Sequence, residues 1–309
     1  MRIAVLAALL VLCAGAALAQ NNRPAKQLFG SVGVPADIAP RSIGSYAKGC
    51  LAGAVALPLD GPNWQVMRLS RNRNWGHPVL VDYLKRLSAD AARDGWPGLL
   101  VGDMAQPRGG PMLTGHASHQ VGLDADVWLI PMPDHTLSVE EREKKSAVSM
   151  LMTGRLQVDS SKWTNLQPIV LKRAASYPEV ARIFVSAAIK QKLCDTAGND
   201  RSWLRKIRPW YGHDAHFHVR LECPPGASGC TPQAAVGPGD GCNELAEWLK
   251  PPPPPKPPSG KPPKPYTPPP EMTLADLPAA CTDVLNAGFG AGQAAAFGMP
   301  MPRLRPSPN

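Results

Sequence analysis

The chain has 309 residues, 33 Lys+Arg against 24 Asp+Glu, a formal net charge of +9 and 44% hydrophobic residues. This is an ordinary globular composition, long enough for one sizeable core. The only long apolar run lies at the start and is too short to span a bilayer. No nucleic-acid motif or long basic run accompanies the positive charge. The charge therefore suits a polyanionic partner such as a cell-wall polymer or a lipid headgroup surface, or simply keeps the surface soluble.

Residues 1–19 have the form of a secretory signal: Arg2, an apolar run from Ile3 to Leu12, and Ala17-Leu18-Ala19 as a small-x-small cleavage site before Gln20. Leu12 stands where a lipid-attachment box at Cys13 would want a small residue, so cleavage and soluble export are expected, with no integral membrane segment in the mature chain. Residues 20–249 should form the globular body. Within it, His77–Arg93 carries Val79, Leu80, Tyr83, Leu84, Leu87 and Ala91 at helical spacing, with Pro78 in the first turn. Gly98–Gly102, Ala125–Ile130 and Ala181–Ser186 read as strands. Gln167–Ala175, Ala188–Cys194 and Asn243–Leu249 read as helices, and His216–Leu221 alternates with period two. Helices and strands without regular βαβ alternation predict an α+β single domain with a mostly antiparallel sheet and flanking helices.

Residues 250–270 are proline-rich and suit polyproline II, reaching about 60 Å if fully extended at ~3.1 Å per residue. Residues 271–309 hold a short amphipathic piece near Asp276–Leu285, then a Gly/Ala/Pro-rich end. Of the seven cysteines, Cys13 leaves with the signal. Cys50, Cys194, Cys223, Cys230, Cys242 and Cys281 remain, an even number that suits three disulfides in an exported chain. Six cysteines allow fifteen pairings; Cys223 and Cys230 are near enough to close a small loop. No Cys-x-x-Cys occurs, which argues against a cysteine metal site. A Cys281 paired with an early cysteine would pin the tail to the body.

Five of the seven histidines fall into two clusters. The first is Gly115-His-Ala-Ser-His-Gln-Val-Gly-Leu-Asp-Ala-Asp126, the second His213-Asp-Ala-His-Phe-His218. Imidazole and carboxylate are the donors of catalytic zinc, which takes three protein ligands and leaves one position open. On a strand, His216 and His218 point to one face while Phe217 and Val219 point to the other. Gly122 suggests a turn between His119 and a strand that begins near Asp126. No His-Glu-x-x-His is present, which excludes the thermolysin-like helix motif.

The two clusters resemble those of the penicillin-insensitive murein endopeptidases, a family within the wider LAS metallopeptidases. Ile43–Cys50, Gln65–Arg68, Gly76–Pro78, Gly102–Met104, Arg182–Val185, Ala188–Gln191 and Trp203–Trp210 extend the similarity over most of residues 43–249. The resemblance implies a periplasmic Zn2+ hydrolase that cuts the D-alanyl–meso-diaminopimelyl cross-links of peptidoglycan stem peptides, and diaminopimelyl–diaminopimelyl bonds too. It implies His119, Asp126 and His218 as metal ligands, with His116 close by as a further candidate, and His216, or His213 beside it, as the catalytic proton carrier. It also implies Cys50–Cys281, Cys194–Cys242 and Cys223–Cys230. Two departures stand out: Ala117 where the wider group has Ser, and Ala215 where it often has a Glu base. Residues 146–158 contain no His, Asp or Glu, and so offer no second metal there.

Asp103, Arg108 and the Gly109-Gly110 loop are candidates for holding substrate. Two other activities use the same residues: a metallo D,D-carboxypeptidase or dipeptidase, and a non-catalytic wall-binding protein with structural zinc.

Overall fold

The computed structural model describes residues 23–250 and 270–288. The expected signal, most of the proline-rich stretch and the chain's last residues lie outside the described residues. In chain order, α1 (Ala25–Gly30) precedes β1 (Arg41–Ser45), β2 (Lys48–Ala52), β3 (Val55–Ala56), β4 (Asp60–Gly61), β5 (Trp64–Val66) and β6 (Trp75–Gly76). Then follow α2 (Pro78–Arg93), β7 (Leu99–Val101), β8 (Asp124–Trp128), α3 (Val139–Lys144) and α4 (Leu166–Ser176). The remainder are β9 (Val180–Val185), α5 (Ala187–Thr196), β10 (Ile207–Pro209), β11 (His216–Leu221) and α6 (Ala280–Asn286).

Seven strands form one sheet in the order β10-β9-β11-β8-β7-β5-β4. The β10/β9 and β5/β7 pairs are parallel. The other four are antiparallel, so the fold is α+β with a mostly antiparallel sheet. At its centre, β8 and β11 pair with His218 opposite Asp126 and Arg220 opposite Asp124. Strand alternation sends Ala125, Val127, Phe217 and Val219 into the main core, all fully buried. Asp124, Asp126, His216, His218 and Arg220 are left on the opposite face.

The core face is covered by α2 and α4. Pro78 starts α2, where its missing N–H costs nothing, and the His77 side chain caps it by accepting the Val79 N–H at 3.3 Å. Leu80, Tyr83, Leu84, Leu87 and Ala91 then bury one stripe. The Tyr83 hydroxyl donates to the Ala174 carbonyl of α4 at 3.2 Å.

A second, smaller core joins α1, β1, β2 and α6 around Leu28, Phe29, Ile43, Leu274, Leu277 and Val284. The disulfide Cys50–Cys281 runs through it, and Cys194–Cys242 and Cys223–Cys230 are also closed. Arg108 belongs here and not with a substrate. Its buried guanidinium donates to Val284 O at 2.7 Å and Leu285 O at 2.8 Å, satisfying the last carbonyls of α6, and its Nε donates to Val34 O. Gly109 and Gly110 are also packing residues: φ is +60° and +74°, and an added Cβ would lie 2.0 Å from Gln120 O and 2.3 Å from the Phe29 ring.

One sequence expectation needs correction. Asn243–Leu249 is not a continuous helix: Cys242–Glu244 is a 3-10 turn, and a separate single turn is closed by Leu249 N–H donating to Leu245 O at 3.0 Å. Pro251 follows too soon for a stable helix, because it pushes its predecessor out of helical geometry and a helix this short does not nucleate alone. The amphipathic tail piece is split at Pro278 into a 3-10 turn, Leu274–Asp276, and α6.

Cys50–Cys281 spans a sequence separation of 231. Replacing both cysteines by Ala should lower unfolding stability by about 3–5 kcal/mol through the freer unfolded chain. Urea unfolding measures it; an unchanged midpoint would show that the tail is held by packing alone.

Candidate metal centre and active site

The histidines of the two clusters meet on the polar face of β8 and β11. Asp126 and His218 are direct cross-strand neighbours, so their side chains meet without help from a loop. His119 arrives from the loop before β8 in a left-handed conformation, φ +67°, which is rare for a residue with a side chain. Its backbone N–H is held by Asp124 Oδ2 at 3.1 Å, which offsets that strain.

Three donor atoms converge. His119 Nε2 lies 3.2 Å from His218 Nδ1, and each lies 3.4 Å from Asp126 Oδ1. A tetrahedral ion with bonds of ~2.0–2.1 Å requires donors roughly 3.3–3.4 Å apart. Asp126 Oδ1 is buried with no hydrogen-bond partner, an expensive state for a carboxylate oxygen unless a cation meets it. The residues therefore fit a metal ion. His116 closes the group from one side: His116, His119 and Asp126 each offer a donor atom, all within 4.8 Å of one another. Its Nε2 is 3.5 Å from Asp126 Oδ2 but 3.0 Å from Asp103 Oδ2.

The outer nitrogens of both inner histidines are tied down. His119 Nδ1 donates to the Met104 carbonyl at 3.0 Å. His218 Nε2 donates to Asp124 Oδ1 at 2.8 Å. Each bond fixes the tautomer and leaves a lone pair on the inner nitrogen, as metal-binding imidazoles require. Asp124 also accepts from Arg220 Nε at 2.7 Å. Arg220 in turn lies over the Tyr46 ring at 4.2 Å.

Electrostatics favour a bound cation. Burial pushes the His218 imidazole down to about 4, so it is neutral near pH 7. Burial opposes ionisation of Asp126, but His119, His216 and His218 hold it well below the usual carboxylate range. Burial also opposes a charge on His119, yet Asp126, Asp124 and Asp103 together raise its pKa. Asp103, buried too, is held at about 2 by hydrogen bonds from His116 and Arg73 and by the nearby guanidinium groups.

Around this centre stand the other histidines. His216 Nε2 is 3.6 Å from Asp126 Oδ1 and its ring is partly exposed. The His213 ring lies 5.0 Å from that of His216, and its Nδ1 donates to the Tyr211 carbonyl at 2.7 Å. Burial, then His216, lowers the His213 pKa. Of the seven histidines, His77 and His135 stand apart, as a helix cap and as a partner of Asp134.

Asp103, expected near substrate, lies at the edge of the centre with its Oδ2 also accepting from Arg71 and Arg73 at 2.9 and 2.8 Å. Sequence reasoning missed Asp124 and Arg220. Their signal was available, because Asp124 stands two residues before Asp126 and Arg220 two residues after His218, which puts all four on one face of the sheet.

Asp124→Asn tests this outer layer. The amide NH2 would offer a proton to His218 Nε2 and turn its N–H toward the other donors. Metal affinity, measured by competition with a chromogenic chelator, should fall by about 10–100-fold; unchanged affinity in a folded variant would deny Asp124 this role.

Comparison with known proteins agrees with the geometry. Residues 42–286 match the family described as penicillin-insensitive murein endopeptidase. The chain is 49% identical over 247 residues to the penicillin-insensitive murein endopeptidase of Haemophilus influenzae, covering 79% of this chain and 82% of that one. It is 44% identical to the Klebsiella pneumoniae protein of that name over 80% of this chain and 86% of the relative. For the Pectobacterium atrosepticum protein the figures are 41%, 91% and 97%. The chain belongs to the penicillin-insensitive murein endopeptidase family.

Proposed function

We propose that this chain is a zinc-dependent murein endopeptidase, hydrolysing the D-alanyl–meso-diaminopimelyl cross-link of peptidoglycan and also diaminopimelyl–diaminopimelyl bonds. The supporting observation is the convergence of His119 Nε2, His218 Nδ1 and the unpartnered Asp126 Oδ1 at 3.2–3.4 Å. Two imidazoles and one carboxylate, with no thiolate, form a donor set used by hydrolytic zinc. His119, Asp126 and His218 would hold the ion, with His116 between Asp126 and Asp103 as a further candidate. A zinc ion bound there supplies Lewis acidity and brings the pKa of a coordinated water toward ~7.

The chain's own residues supply the rest. Asp124 and the Met104 carbonyl keep His218 and His119 in their binding tautomers. His216, partly exposed and neighbouring Asp126, is the proton carrier: it stabilises the developing oxyanion and delivers a proton to the leaving amine. This reading suits the absence of a Glu base, since Ala215 stands at that position. His213 backs His216 and, with a lowered pKa, adds no competing positive charge at neutral pH. Three disulfides suit an oxidising compartment, and with the substrate they support a periplasmic location. No helix among the described residues is long and apolar enough to cross a membrane.

Purified protein acting on cross-linked muropeptide dimers should yield monomers, lose this activity with a zinc chelator and regain it with zinc. Intact dimers alongside released D-alanine would instead identify a carboxypeptidase, and bound zinc without turnover a wall-binding protein. His216→Ala should reduce kcat by about 10²–10⁴-fold while keeping its metal, and His218→Ala should lose both. Full activity in His216→Ala would refute its role.

A further inference from the structure

Beside the metal centre runs a groove of about 910 Å3. It begins where His213 ends: Gly212 and Asp214 line it on either side of that histidine, and so does Ser186, whose N–H bonds the His213 carbonyl. Its floor is aromatic. Trp210 and Tyr211 lie 5.9 and 5.0 Å from the Trp248 ring, and they remain 53% and 75% exposed. Met152 and Leu156, also exposed, continue the same lining. Large apolar side chains gathered in the open mark a binding surface more often than chance exposure does.

The charge in the groove has a sign. Arg155, Lys162 and Lys250 line it against Asp214 and Glu247. Glu247 pairs with Lys250, and Asp214 accepts from the Ser149 hydroxyl. Lys162 reaches Asp159 at 3.2 Å. Arg155 forms no side-chain hydrogen bond or ion pair among the described residues, so one guanidinium of the lining has no acidic partner there.

We infer that this groove holds the second stem-peptide arm of a cross-linked substrate, with Arg155 meeting one of its free carboxylates. The inference rests on the endopeptidase reading. An enzyme that trims a chain end needs room on one side of the scissile bond only, whereas a cross-link carries a peptide on both sides. The groove supplies that second side in continuity with His213. Peptides that contain diaminopimelyl residues keep free carboxylates along their length, which complements Arg155 and Lys162. Their flat amides and aliphatic stems suit the rings of Trp210, Tyr211 and Trp248. The neutral disaccharide of the glycan would leave Arg155 unused.

The test compares two cross-linked dimers, one with free carboxylates and one with the arm's carboxylates amidated, on the wild-type enzyme and on Arg155→Glu. The wild type should prefer the free form, and Arg155→Glu should cut that preference by about tenfold or more, mostly through KM. Tyr211→Ala, at an exposed position, should raise KM for dimers whether or not they carry the disaccharide. The proposal is overturned by a preference that is the same in both enzymes, or by a Tyr211→Ala effect confined to disaccharide-bearing dimers, which would make the groove a sugar site. If the wild type cleaves no dimer at all, the endopeptidase reading fails instead, and the two failures are thereby distinguished.

Discussion

A carboxylate taken out of water must find protein donors for its oxygens or lose its charge. Asp124 finds them by drawing three segments of chain to one point. One oxygen takes the His218 imidazole from the next strand and the Arg220 guanidinium from the same strand as His218. The other takes the backbone N–H of His119, which sits in a left-handed conformation. The loop carrying His116 and His119 and the strand carrying His216 and His218 are thereby locked to each other, although about a hundred residues of chain separate them. The opposite face of the same two strands carries Phe217, Val219, Ala125 and Val127 into the main core. Formation of that core therefore sets the position of the site.

From this constraint the chemistry follows. Three buried aspartates, Asp103, Asp124 and Asp126, crowd one region. Two of them are balanced by fixed cations: Asp103 by Arg71 and Arg73, Asp124 by Arg220. Asp126 has histidines only, and one of its oxygens has no donor. A site that satisfies two carboxylates with guanidinium groups and leaves the third for lone pairs to surround is built for a mobile cation. The partly exposed His216 stands 3.6 Å from Asp126 Oδ1, and the groove past His213 opens beside it.

Much of this was legible in the residues. Spacing of two along His216–Leu221 forecast which imidazoles share a face, because a strand leaves no other choice. Helical spacing and Pro78 marked α2 to within one residue. Other features were hidden for definite reasons. The role of Arg108 depends on α6, which lies more than 170 positions away in sequence, so no residue near it in sequence shows that its charge caps a helix. The paired glycines after it suggested a loop that holds substrate, but their freedom is used to pass close beside Gln120 and Phe29. Asn243–Leu249 carried a helical pattern too short to sustain a helix. Trp210, Tyr211 and Trp248 come together only in the folded chain.

The tail is part of the body and not an appendage in the described residues: α6 is fastened by Cys50–Cys281 and by Arg108. It packs beside β1 and β2 and shares no residue with the metal centre. The most direct measurement on that centre is an anomalous difference map collected at the zinc edge from crystals of the purified protein. A single strong peak enclosed by His119 Nε2, His218 Nδ1 and Asp126 Oδ1 is expected. Zinc-soaked crystals with no peak among these three atoms would contradict a zinc site there.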